Sequence, residues 1–160
     1  MTALSDYMES GLLQHIFRGQ SFAKPDGISI ALCSGVPRES DTGSTIPELP
    51  SGNSNGDTGY RRYFLSHPDD TTGGTASGDY YWNYNIDDHN AGSGLIKNSV
   101  TFLFSNALQD WGWVSGIAVC DSGTVGTGNL LMYAELNNPR IIYEGDSVKF
   151  DTSTLQISFK

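Results

Sequence analysis

Residues 111–159 read WGWVSGIAVCDSGTVGTGNLLMYAELNNPRIIYEGDSVKFDTSTLQISF, and this stretch decides the fold. Trp111 to Cys120 is an apolar, strand-like run that stops at the turn residues Asp121-Ser122-Gly123. Leu130, Met132, Ala134 and Leu136 then alternate with a second set containing Leu131 and Tyr133, the period-two spacing of a strand. Asn138-Pro139 is expected to break that strand, because proline has no N–H to give to a ladder. Ile141 to Tyr143 is a short segment, and Gly145-Asp146 makes a tight turn. Val148 and Phe150 face one way, and Leu155, Ile157 and Phe159 close the run. Regularly spaced short strands with turn punctuation predict a mostly β fold, an antiparallel β-sandwich or open barrel. The helix-strand alternation that parallel sheets need does not occur.

Upstream, the same pattern continues more loosely. Ser99 to Ser105 is a strand with Val100, Phe102 and Phe104 on one face, and Tyr60 to Leu65 is another. After the turn signal Pro25-Asp26-Gly27, Ile28 to Leu32 alternates as a strand. One N-terminal α-helix is expected over residues 5–18. Ser5 suits the N-cap, Asp6 and Glu9 place negative charge at the positive end of the helix dipole, and Gly19 is the stop. Apolar side chains at Tyr7, Met8, Leu12, Leu13, Ile16 and Phe17 make one face sticky. That face either packs on the domain's own sheet or docks on a partner; amphipathic helices usually bury their stripe, so own-core packing is the expectation. Residues 34–59 and 66–95 read as long loop insertions in a single domain spanning 1–160.

Composition agrees. Nineteen glycines suit many tight turns, and charged residues make up only 17%. A formal charge of -9 without Lys/Arg clusters argues against nucleic acid and against anionic lipid as partners; it reads first as an ordinary solvated acidic surface, and second as the complement of a basic protein face. No apolar run approaches the ~18 residues of a membrane span, and no secretory signal is present at the N-terminus. Cys33 and Cys120 both sit in apolar runs and are read as buried free thiols, with a disulfide left open.

Reactive groups do not converge on a catalytic pattern, so the chain is read as non-enzymatic, with no cofactor and no metal. His67 precedes Pro68-Asp69-Asp70 and His89 follows Asp87-Asp88, yet neither spacing matches a metal-ligand motif; both read as solvated loop residues. The run Gly123 to Gly128 lacks the Lys and following helix of a phosphate loop and reads as a hairpin connection. Asn53 to Asp57 resembles part of a calcium loop but lacks its bidentate Glu. The aromatic cluster Tyr80, Tyr81, Trp82 and Tyr84 suits a sugar-stacking or protein interface, or cross-strand core packing; Trp111 and Trp113 are read as core. The isolated Ile46 and Leu49 of the first long loop join that cluster as candidate interface residues.

Taken as a pattern, Trp-Gly-x-Val at 111–114, Asp121, Gly-Asn-Leu-Leu at 128–131, Leu136, Pro139, Gly145-Asp146, Val148, Phe150 and Leu-x-Ile-x-Phe at 155–159 resemble a family of small tailed-bacteriophage virion proteins. The family is labelled variously head decoration (cement) or tail fibre protein. Leu4-Ser5-Asp6-Tyr7 with Leu12-Leu13, the strand at 28–32 and Gly59-Tyr60-Arg61 carry the same resemblance, which covers about half the chain. It implies a non-enzymatic capsid decoration protein on the virion surface, assembled in the host cytoplasm. Such a protein would bind the major capsid protein as a homo-oligomer (dimer or trimer) and stabilise the shell. The alternative it implies is a tail fibre or baseplate component that binds a host surface glycan.

Overall fold

The computed structural model describes residues 3–23, 25–66, 95–98 and 100–158. Along the chain these form β1 (Ala3–Leu4), α1 (Asp6–Arg18), β2 (Gly27–Cys33), β3 (Gly52–Asn53), β4 (Gly56–Asp57), β5 (Tyr63–Ser66), β6 (Leu95–Lys97), β7 (Phe102–Leu103), β8 (Gly112–Cys120), β9 (Leu130–Ile142), β10 (Lys149–Phe150) and β11 (Gln156–Ser158). The main sheet is five-stranded, antiparallel and open, in the order β1-β9-β8-β2-β5. Among the described residues the fold is mostly β with one helix. The period-two reading of residues 111–136 is met by β8 and β9, joined through residues 121–129.

Because alternate residues point to opposite faces, the sheet has two different sides. On the first, Ile30 lies opposite Val119 and Leu32 opposite Ile117. Their core is completed by Tyr60, Phe102, Phe104, Ile142 and Ile157. Two short ladders supply Phe102 and Ile157, β7 with β10 (Phe102 opposite Phe150) and β6 with β11 (Ile96 opposite Ile157). Buried Asn98 links the ladders. Its amide donates to the carbonyls of Val100 (2.8 Å) and Asp151 (2.9 Å), and its carbonyl oxygen accepts from the Leu155 N–H. On the second side the residues are small: Ala31, Cys33, Ala118 and Cys120, packed with Leu130 and Ile46. Small residues there let the segment after β2 lie close to the sheet. A Cβ on Gly116 would come within 2.3 Å of the Gly35 carbonyl oxygen.

Pro139 does not end its strand; β9 runs through it. Val114 pairs with Arg140 but Gly116 pairs with Glu135, so β9 advances five residues where β8 advances two. The proline sits in that bulge, where no ladder bond calls on its missing N–H. A second, one-residue irregularity near Cys120 leaves Leu131 extra in β9. Its consequence lies at the helix. The Leu131 carbonyl accepts the Ser5 N–H at 3.1 Å, and the Leu130 carbonyl accepts the Ser5 hydroxyl.

The helix begins and ends as its sequence predicts. Ser5 Oγ accepts from the Met8 N–H, and Gly19 caps the C-terminus with φ 63°. Its apolar residues, however, do not form one buried stripe. Tyr7, Met8, Gly11 and Leu12 turn toward the body, where the Tyr7 and Phe22 rings lie 5.7 Å apart. The Phe22 ring occupies the space that a side chain at Gly11 would fill. Leu13, Ile16 and Phe17 fall on the other arc and are 57%, 66% and 77% exposed. Own-core packing of these three is therefore overturned, because the capping bonds and Phe22 orient the opposite arc inward.

Residues 34–59 are ordered rather than a free loop. Cys33 bridges to Glu48, and β3 pairs with β4 as a hairpin. No helix among the described residues is long and apolar enough to cross a membrane.

Candidate interaction surface

A buried ionic network fixes the second side of the sheet. Tyr60 and Arg62 share the period-two phase that faces inward, whereas Arg61 between them pairs with Asp57 in solvent. Every N–H of the Arg62 guanidinium has an acceptor. Nε and one Nη2 hydrogen bond the two Glu48 oxygens at 2.8 and 2.7 Å, the other Nη2 hydrogen goes to the Gly43 carbonyl at 2.8 Å, and Nη1 donates to the Ser122 and Thr127 carbonyls at 2.8 and 2.9 Å. Glu48 also accepts from the Tyr60 hydroxyl (2.9 Å) and the Gly126 N–H (3.2 Å). The Tyr60 oxygen in turn accepts the Leu32 N–H. One arginine thereby ties residues 43–48, β5 and the 121–129 connection together, and a buried pair needs such full satisfaction to be tolerated. Burial, helped by the Glu48 carboxylate, holds the Tyr60 hydroxyl well above its ordinary pKa. Burial likewise raises both thiols, that of Cys120 to about 11.

Ile46 and Leu49 belong to this packed interior. Ile46 lies with Ala31 and Ala118, while the Leu49 N–H donates to the Leu32 carbonyl beside β2. Neither is offered to a partner, and the interface reading of these two residues is corrected: Ile46 packs on the small residues of the second side and Leu49 in the core of the first. Tyr80, Tyr81, Trp82 and Tyr84 lie outside the described residues, as do His67 and His89. Asn53 to Asp57 uses its side-chain oxygens on neighbouring protein donors. Asn53 Oδ1 accepts the Asn55 N–H, and both Asp57 oxygens bond Arg61.

The aromatic surface lies elsewhere. Trp111 is core: its ring meets Tyr60 edge-on at 5.5 Å, and its Nε1–H donates to the Thr58 carbonyl at 2.8 Å. Trp113 is not. In an unbroken strand the two would share a face, but Gly112 adopts φ 77° and breaks the alternation. Trp113 emerges 51% exposed, opposite Ile141, and Tyr143 on the same side of the chain as Ile141 is 56% exposed. The backbone beyond is held by acceptors. Asp146 Oδ2 takes the Tyr143 N–H and Asp110 Oδ1 takes the Glu144 N–H. A sheet end held in this way presents Trp113, Ile141 and Tyr143, with Asp110 and Glu144 exposed at the same end, whereas Arg140, paired with Val114, turns to the other face.

An antiparallel β body with apolar side chains displayed at a sheet end and along a helix falls in the class of tailed-bacteriophage virion structural proteins that its motifs resemble. The family model described as Podophage GP4 fiber I protein gp80 matches residues 3–158, and the chain belongs to that family. It is a virion component of the tail-fibre type. No curated protein matches the chain.

Proposed function

We propose that this protein is a non-catalytic component of a phage tail fibre whose Trp113 surface contacts a glycan on the host cell. The fibre description of the family favours the tail over capsid decoration and binding to the major capsid protein. The observation that carries the glycan reading is the aromatic pair held out of the core. A sugar ring presents C–H groups that pack on an indole or phenol face, and its hydroxyls need nearby acceptors and donors. Trp113 and Tyr143 supply the first, and the exposed carboxylates of Asp110 and Glu144 at the same sheet end supply acceptors. The non-catalytic reading is supported by how the ionisable interior is used: Arg62, Glu48 and Tyr60 are spent on one another and on backbone groups, and both thiols are held out of the thiolate range in which cysteine is a nucleophile.

The test is retention of the purified chain on immobilised surface polysaccharide of the host. Wild-type protein should bind, and Trp113→Ala should lose at least ten-fold in affinity with its thermal midpoint unchanged. Equal retention of the two would sink the assignment of the glycan to this surface.

A further inference from the structure

Helix α1 carries a second surface, different in chemistry from the sheet end. Asp6, Glu9, Leu13, Ile16 and Phe17 recur at i, i+3, i+7, i+10 and i+11, which places them on one arc, and all five are exposed. The arc is divided along its length: acid in the first turn, bare hydrocarbon in the last two. Leu13, Ile16 and Phe17 together expose on the order of 400 Å² of apolar surface, within the range of the largest patch on a soluble monomer. The acidic end is reinforced from outside the helix. The Asp6 N–H donates to the Glu39 carbonyl at 2.9 Å, bringing that residue alongside. The nearby Tyr133 hydroxyl is raised by partial burial and then by Glu39, Asp6, Glu9 and Asp41, which marks a local concentration of four carboxylates.

This division selects the occupant. Two copies packed in parallel would set Asp6 and Glu9 against their own counterparts. Packed antiparallel, the same carboxylates would lie against the other copy's Leu13, Ile16 and Phe17 and be desolvated there, because His15 and Arg18 of the last turn fall outside the arc. Anionic lipid is repelled by a chain of charge -9. We propose that α1 docks in an apolar groove of another virion protein, with Leu13, Ile16 and Phe17 as anchors and with Lys or Arg side chains rimming the end of the groove that receives Asp6 and Glu9. The spacing of the anchors is that of helix-in-groove recognition, and the acid-to-base contact fixes the direction in which the helix lies.

Virions assembled with a photo-crosslinking phenylalanine analogue at position 17 test this. The analogue at Leu103, an exposed site on the ladder β7, serves as control. Irradiation should join position 17, and not position 103, to a different virion protein, at a segment with basic residues within about two helical turns. Introducing Glu9→Lys should lower that cross-link several-fold, and Ile16→Asp should lower the copy number per particle at least ten-fold while the purified variants keep the wild-type thermal midpoint. A cross-link to a second copy of this chain, no cross-link at position 17, or wild-type copy number in the Ile16→Asp virions would each overturn the proposal. Because position 17 and Trp113 are read by separate assays, loss of host-glycan binding leaves this result standing, and the converse also holds.

Discussion

Residues 34–50 and helix α1 exchange the parts that their compositions suggest. The first segment is rich in Ser, Thr, Gly and Pro and has little to bury, yet it is fastened to the sheet. The helix carries six large apolar residues, and four of them, Tyr7, Leu13, Ile16 and Phe17, are exposed. The difference lies in what each segment must satisfy. Residues 43–48 lie over a fully buried guanidinium whose five donors need acceptors, so their carbonyls and carboxylate are drawn into fixed positions. The helix satisfies its own backbone, is capped by Ser5 and Gly19, and needs the body only along one arc. Polar obligation rather than hydrophobicity decides which of the two is locked.

The largest effect should come from cutting the lock. Arg62→Leu leaves Glu48 buried without its partner and should cost about 3–5 kcal/mol in urea unfolding. Hydrogen exchange should accelerate across residues 43–49 while α1 is unaffected; a loss under about 1 kcal/mol would mean the segment is held by other contacts. Alkaline pH should act next. The Cys120 pKa is raised from 9.0 to about 11, so the folded chain keeps a proton that the unfolded chain releases. Stability is fully present below pH 9.0 and falls as pH rises toward 11, by about 1.4 kcal/mol per unit for this group, with Cys33 adding to the slope. Cys120→Ala should flatten the curve measured by denaturation between those limits. Tyr60→Phe removes the bonds to Glu48 and to the Leu32 N–H and should cost about 1–3 kcal/mol.

On the helix the effects shrink and change sign. Gly11→Ala would press on Phe22 and should destabilise, whereas in a Phe22→Ala background the same change should stabilise by up to about 1 kcal/mol, the usual gain of alanine over glycine in a helix. A double-mutant cycle by thermal unfolding measures that coupling, and additivity would show that the ring does not hold the arc. Phe17→Ser should leave stability within about 0.5 kcal/mol of wild type. A larger loss would mean that the exposed arc is covered in the free subunit and would erase the contrast between the two segments.

How far these features were legible follows the range of the interactions behind them. The helix ends at Ser5 and Gly19 were readable because capping is local. The strands of residues 111–136 were readable because alternation needs only near neighbours. The passage of β9 through Pro139 was not, since a bulge is defined by the residues of β8 opposite it. The opposite fates of Trp111 and Trp113 were written in the intervening glycine, but its positive φ, not its presence, reverses the face. Arg62 was missed although it stands two residues from Tyr60 in the same phase; its acceptors come from residues 43, 48, 122 and 127, which no local pattern joins. Tyr80 to Tyr84 lie outside the described residues, and the comparison of those aromatics with Trp113 stays in the sequence alone.

The cap on α1 also dictates an order of events during synthesis. Ser5 bonds residues 125 or more positions further along the chain, and Ala3 and Leu4 find their strand partners at Tyr133 and Met132. A 13-residue helix standing alone is marginal in water. The helix N-terminus therefore gains these bonds only once the irregular turn of β9 offers its carbonyls. A chain arrested or misfolded before that point has no ordered arc of Leu13, Ile16 and Phe17 to present. The Ser5 contact thus makes the order of the helix depend on a part of the chain 125 residues away.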